Sequence, residues 1–344
     1  MKALRATPFL FAFALPVISV VGYLLGGWWT FLAIAYGYFL QPIGDAIAGR
    51  RFEPTRPEER SSAHRMVLWL ATPVQLVLVG WGFWLVTSGS LTTVEAVGLT
   101  ISIGVSTGAL GITAAHELVH RRNRFERGLG LVLLALASNL QFRVEHVYGH
   151  HRYVGTPEDP ATARLGESLF AFIPRSFVGQ HIAAFRTEAK RLARRGYARY
   201  GVRNRLLWYS AVQIGLLATS YAVFGWRGLA FFAGQGYVGC YLLESVNYIE
   251  HYGLVRQRDA SGKYEPIAAK HSWNANHRLT NWSLFNLGRH SSHHLRDTAH
   301  FEGLGDSPDT PQLPAGYSGS ILLAMIPPLW RRVMDPRVAK VNAA

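Results

Sequence analysis

Cysteine is almost missing from this chain. Cys240 is the only one in 344 residues, so no disulfide and no cysteine-based metal site can form within one copy. It lies inside an apolar run and reads as a small core residue. Charge is scarce too: Asp, Glu, Lys and Arg make up 16% of the chain, against about a quarter in ordinary soluble domains. Acidic residues are scarcest, 21 against 35 lysines and arginines, for a formal net charge of +14. Such an excess commonly marks nucleic-acid binding. Here 49% of the residues are apolar and collect into long runs, so the reading is a lipid bilayer and no nucleic acid. No internal repeat or low-complexity tract is evident. A small-x-small cleavage site is also missing after the first apolar run, so Lys2 and Arg5 precede a span and not a signal peptide.

A bilayer crossing takes about 20 apolar residues. Six stretches fit: 8–26, 29–47, 66–86, 97–115, 206–224 and 228–249. The first two form a hairpin. Arg50 to Arg65 is a polar loop, and Thr87 to Ala96 is a turn carrying Glu95. Leu129 to Leu140 is too short to cross and reads as a buried or re-entrant helix. Glu167 to Arg199 mixes Phe170, Phe172, Ile173, Phe177 and Phe185 with many basic residues. That pattern predicts an interfacial amphipathic helix, with a solvated basic helix as the plainer alternative. Ile321 to Trp330 carries Pro327 and Pro328 and reads as peripheral. All 35 basic residues fall outside the six spans. With both termini cytoplasmic, only Arg227 faces the other side. The expectation is an all-α integral membrane protein with six transmembrane helices, one membrane domain over 1–344. Segments 116–205 and 250–344 then lie on the cytoplasmic side and complete the site described next.

What the chain has in plenty is clustered histidine. Nine of its 14 histidines fall in four motifs: His116 and His120 in HELVH; His146, His150 and His151 in EHVYGHH; His251 in NYIEHYG; and His290, His293 and His294 in RHSSHH. Neutral imidazole is the commonest metal ligand. His116 and His120, four apart, share one face of a helix. Neighbours such as His150 and His151, or His293 and His294, diverge by about 100° and so serve different metals. Two metals side by side follow, five- or six-coordinate, which exceeds what tetrahedral zinc can use. Imidazole suits iron, copper, nickel and zinc alike. HExxH alone is also the zinc-protease signature, but that chemistry leaves most of the other histidines unused. Glu117, Glu145 and Glu250 each adjoin a ligand histidine and could orient it; ordinary interfacial carboxylates would look the same. His64, His181, His271, His277 and His300 read as plain polar residues.

HELVHRR, EHVYGHHRYVGTPEDPATAR, NYIEHYGL and LGRHSSHH resemble the membrane-bound alkane 1-monooxygenase family, as do DTPQLPAGY and ILLAMIPPLWRRVMDPR. The likeness runs roughly from Val97 to Arg337. It implies two non-haem Fe ions held by the nine histidines, with no catalytic residue beyond them. It further implies O2 as oxidant, hydroxylation of the terminal methyl of an alkane, and electrons from rubredoxin and rubredoxin reductase. The site would face the cytoplasm from the bacterial inner membrane. Because rubredoxins are small and acidic, Arg191, Arg194 and Arg195 are a candidate dock; anionic lipid is the alternative partner. The third box departs from the family's usual LQRHSDHH: Gly288 replaces glutamine and Ser292 replaces aspartate. Xylene-type methyl hydroxylases and fatty-acyl desaturases share the histidine boxes and are the rival readings. A membrane metal transporter is the non-enzyme one, although its ligands would sit near mid-membrane.

Overall fold

The computed structural model describes residues 2–55, 61–306 and 309–343, so Arg56 and Arg60 of the arginine-rich loop lie outside the described residues. The described chain is helical throughout, with only three isolated bridges between extended residues. Five helical stretches are long and apolar enough to cross a membrane: α1 (Leu4–Leu25), α2 (Gly27–Ala48), α3 (Ser62–Thr87), α4 (Thr93–Val119) and a fifth running Arg205–His251. Their flanks expose large apolar side chains, among them Leu24 at 73%, Val77 at 71% and Ile47 at 82%. Water does not tolerate so much apolar surface on one molecule, and a bilayer covers it.

The fifth stretch has 47 residues. Straight, it would reach about 70 Å, more than twice the bilayer core of about 30 Å. It is not straight. Gly225 has φ 64° and ψ −165°, a conformation open to glycine alone. At Gly228 an added Cβ would strike Phe224 and come within 2.9 Å of the Ser220 carbonyl, eight residues back. The chain therefore doubles over at Gly225. Phe83 of α3 touches both arms, with ring centroids 4.9 Å from Phe224 and 5.0 Å from Phe231. The two arms match the expected fifth and sixth apolar rods. We call the pair α8.

Helix ends run a few residues past the apolar runs because capping sets them. Thr92 and Glu95 form a reciprocal capping box at the start of α4, and Glu95 also accepts from the Gly27 amide at 2.8 Å. Asn204 caps α8 through the Leu206 amide at 2.9 Å. Such caps stabilise a helix by about 1 kcal/mol. Inside the bundle a polar seam joins three helices. Gln75 donates to Thr107 at 2.7 Å, and Thr107 donates to Gln235 at 2.6 Å. Interhelical hydrogen bonds of this kind hold helices together where the hydrophobic effect cannot.

Between α4 and α8 lie three further helices. α5 (Arg124–Leu136) starts on an Asn123 cap and has thirteen residues, too few to span. It packs on α4 and α3, so the short apolar run is a buried helix beginning five residues earlier than its sequence suggests. α6 covers 142–153 and changes from α to π geometry over His146–His150. α7 (Leu169–Ala193) buries Leu169, Phe172, Ala184 and Leu192 against α6 and α8 and exposes Phe170, Phe177 and Ile182 on another side. After α8, α9 (His290–Leu295) carries the third box. α10 (Tyr317–Ala324) and α11 (Pro327–Asn342) wrap the end of α8, with Trp330 5.5 Å from Tyr248 and 5.4 Å from Tyr252, ring to ring. These aromatics are fully buried and fix the end of the bundle on which His251 stands.

Candidate metal centre

His116 is in the last turn of α4 and His120 one residue past it. α6 contributes His146, His150 and His151, α8 ends on His251, and α9 supplies His290, His293 and His294. All nine meet at one end of the bundle. They divide into two groups, in each of which the ring nitrogens lie within 4.8 Å of one another: His116, His120, His146, His151 and His293; and His150, His251, His290 and His294. Neither group includes a carboxylate. His150 and His151 fall in different groups, as do His293 and His294. The groups abut, with His151 and His294 rings 4.6 Å apart. His64, His181, His271, His277 and His300 belong to neither group.

The nitrogens point inward at each other. Nε2 of His151 is 3.1 Å from Nε2 of His146 and 3.0 Å from that of His293. Nε2 of His290 is 3.1 Å from that of His251 and 3.0 Å from that of His294. Nε2 of His116, His120 and His150 is buried without a partner. A neutral ring has one N–H and one lone pair, so such a convergence leaves lone pairs that a cation would satisfy. Burial keeps six of these rings neutral. It pushes His120 down to about 3, helped by the charge on Arg121. It likewise holds His146, His151, His290, His293 and His294 well below the usual imidazole range, reinforced by neighbouring histidines. Neutral imidazole is the form that binds metal. The residues fit a pair of metal ions.

Outer contacts orient the second group. His150 Nδ1 lies 2.9 Å from Asp159 Oδ2. Burial alone would raise the Asp159 carboxyl, but His150 and Thr162 outweigh it and hold the group below its ordinary value. The carboxylate thus accepts a hydrogen bond from Nδ1–H and leaves Nε2 with its lone pair facing the centre. His290 Nδ1 lies 3.2 Å from Glu250 Oε1 without a hydrogen bond between them, and Glu250 accepts from Tyr317. His251 Nδ1 is 3.3 Å from the backbone carbonyl of His271. Asp159 is the residue that reading by adjacency overlooks. It sits nine places after His150, in the turn PEDPA, which exposes Pro157 and Glu158 and buries Asp159 against α6.

The three glutamates chosen for adjacency differ. Glu250 touches an imidazole. Glu117 is instead paired with Arg121 at 2.8 Å. Glu145 is buried with Oε1 unpartnered; burial, with Asp159 and Glu244 nearby, holds its carboxyl well above the usual range. Arg191 is not a free surface cation. It pairs with buried Glu188 at 2.6 Å and donates to the Arg203 carbonyl at 3.1 Å. Arg194 and Arg195 are exposed. Gly288 has a steric reason: an added Cβ would overlap the Ala275 carbonyl and stand 3.0 Å from Asn281 Oδ1. Ser292 receives the Gly305 amide at 3.4 Å.

Next to the histidines lies a narrow cavity with about 100 Å³ of free space. Apolar residues of α1, α4 and α8, among them Leu15, Val105, Ile112 and Leu242, line one part of it. His116 and His146 of the first group and His290 of the second line another.

A helical bundle with apolar flanks and an all-histidine double centre defines a membrane metalloenzyme of the histidine-box kind. Residues 92–307 match the family described as fatty acid desaturase. The chain is 42% identical to alkane 1-monooxygenase 2 of Pseudomonas aeruginosa, covering 94% of this chain and 90% of that protein. It is 38% identical to alkane 1-monooxygenase of Pseudomonas putida, covering 94% and 83%. It is 27% identical to the hydroxylase component of a xylene/toluene monooxygenase of Pseudomonas putida, covering 92% and 85%. The chain belongs to the alkane 1-monooxygenase family and is an oxidoreductase, a monooxygenase.

Proposed function

We propose that this protein hydroxylates the terminal methyl group of alkanes to primary alcohols, using O2 and electrons from rubredoxin, itself reduced by rubredoxin reductase. The observation that carries the reading is the apolar cavity lined by histidines of both groups. An alkane has no polar handle, so selection rests on the shape of an apolar wall, at about 1–3 kcal/mol per methylene. The names and coverage of the relatives support the same substrate class.

Two non-haem iron ions, held by the nine histidines, would supply the reduction of O2. The chain's own residues do the rest. Asp159 fixes the orientation of the His150 ring, burial keeps six of the imidazoles neutral, and Leu15, Val105 and Leu242 exclude water from the alkane's path. The protein is read as one membrane domain with six spans, both termini and the centre on the cytoplasmic side of a bacterial inner membrane. The support is the charge distribution: of 35 basic residues, Arg227 alone falls at the opposite end. The electron donor, an acidic protein, would dock on the basic surface that includes exposed Arg194 and Arg195, with Arg191 beside them held by Glu188.

The test is turnover of an alkane series, short to long, with added rubredoxin and reductase, scored for alcohol. Primary alcohol dependent on O2 and rubredoxin is the expected result. An alkene product would favour a desaturase instead, and ring-methyl hydroxylation without alkane turnover would favour the xylene-type reading.

A further inference from the structure

A second pocket lies on the other side of α8 from the cavity at the histidines. It holds about 440 Å³ between α7 and the second arm of α8, within the size range of small-molecule sites, about 300–1,000 Å³. Phe177 and Val178 of α7 and Tyr237 and Tyr241 of α8 form its walls. Phe170, Val178 and Tyr237 are exposed at the rim, on the apolar flank of the bundle. Its floor holds a carboxyl group, Glu244, which is 2% exposed.

Glu244 has no part in the metal centre described above. Its hydrogen-bond partners are neutral and not cations: Gln180 Nε2 at 2.7 and 2.8 Å from its two oxygens, Asn247 Nδ2 at 3.4 Å, and the Ser176 hydroxyl. An ionisable side chain this deep in an apolar span is costly and marks a functional position. Asn247 matters because it also lines the cavity at the histidines. One hydrogen-bond step, Asn247 to Glu244, therefore crosses the wall between the two spaces.

We infer that the pocket between α7 and α8 binds the primary alcohol product, its hydroxyl on Glu244, which Asn247 and Gln180 hold in place, and its alkyl tail against Phe177 and Tyr241. This rests on the hydroxylase reading. The chemistry selects the occupant. An alkane gains nothing from a carboxyl floor. A fatty acid or a phosphate headgroup would set an anion against Glu244. A neutral hydroxyl both donates and accepts, so it can bond the Glu244 carboxyl in either protonation state. The substrate lacks that group and the product has it, so the pocket separates one from the other and gives the alcohol a lateral way toward lipid.

The experiment uses the full-length enzyme in bilayer nanodiscs and a twelve-carbon primary alcohol bearing a mid-chain diazirine, with the matching diazirine hydrocarbon as control. Photolabelled peptides are mapped by mass spectrometry. The expected result is alcohol adducts within 170–178 and 237–244, competed by 1-decanol, and at least fivefold weaker for the hydrocarbon. Glu244→Leu should lower pocket labelling fivefold or more. Phe177→Trp, which fills the pocket from a half-exposed position and spares the buried carboxyl, should do the same if Glu244→Leu fails to fold. Equal labelling by the hydrocarbon, adducts confined to the histidine cavity, or competition by phospholipid and not by 1-decanol would overturn the inference. Alcohol formed from decane by the same preparation is measured in parallel. Alcohol formed without pocket labelling defeats the pocket alone, whereas no alcohol formed defeats the hydroxylase reading beneath it.

Discussion

His146 and His151 stand five residues apart, and their Nε2 atoms face each other at 3.1 Å; His150, four residues from His146, belongs to the other group. In an α-helix the four-residue partner would share the face. The reversal comes from the π geometry of His146–His150, in which the repeat lengthens toward five residues per hydrogen-bonded turn. Single π turns of this sort concentrate at functional sites. Here the turn sends two neighbouring imidazoles to different groups.

Asp159 should matter as much as a ligand does. Asp159→Asn removes the carboxylate that fixes the His150 tautomer, and losses of about 10–100-fold in metal affinity or activity are usual for such partners. Metal titration of the purified variant reads the effect. His181→Ala should leave the same titration unchanged, because His181 bonds the Phe177 carbonyl and Gln141 away from both groups. Equal loss in both variants would argue against the orienting role.

Glu188 should tie stability to acid. It is buried, and although burial raises its carboxyl, hydrogen bonds from Arg191 and Arg205 win and hold it at about 2, against an ordinary 4.5. A depressed folded value contributes stability that is complete above the ordinary value and is lost as pH falls from about 4.5 toward about 2. Glu188→Gln leaves two partly solvated arginines facing a neutral amide and should cost about 1.5–3 kcal/mol. Thermal unfolding in detergent checks it: the variant should melt lower at pH 7 and lose the wild type's decline over that acid window. Unchanged melting at pH 7 would remove the cluster from the stability account.

Gly288→Gln restores the residue usual at this place in the third box, yet it should harm this chain. The new Cβ meets the Ala275 carbonyl, and overpacking of this sort costs about 1–3 kcal/mol. Because α9 begins two residues later, bound metal should fall along with stability. A variant as stable and as metal-loaded as the parent would mean that the backbone here gives way freely.

Much of this arrangement was legible in the sequence because it follows from periodicity and burial. Apolar length marks the six rods, and the four-residue spacing of His116 with His120 and of His290 with His294 puts each pair in one group. The rest depends on contacts between distant segments. Nothing local says that the His271 carbonyl meets His251 or that Asp159 meets His150. Adjacency misleads for Glu117, whose buried position beside Arg121 gives it a different partner. The ion pair of Arg191 is likewise hidden from a reading of surface charge, since Glu188 lies one helical turn away on the same face.

The proposed orientation has its own check. Single cysteines at Ser88 and Ser261, in a Cys240→Ser background, are treated in intact cells with an impermeant maleimide. Label at Ser88 and none at Ser261 is expected from the basic asymmetry. Label at Ser261 would invert the topology and put the centre on the far side.

The central claim is that nine imidazoles and no carboxylate hold two metal ions. An experimental density map of the iron-loaded protein, with iron located by its anomalous signal, tests it most directly. Two iron peaks are expected, one among His116, His120, His146, His151 and His293 and the other among His150, His251, His290 and His294. A single peak, or a glutamate or aspartate bridging the two, would contradict the account.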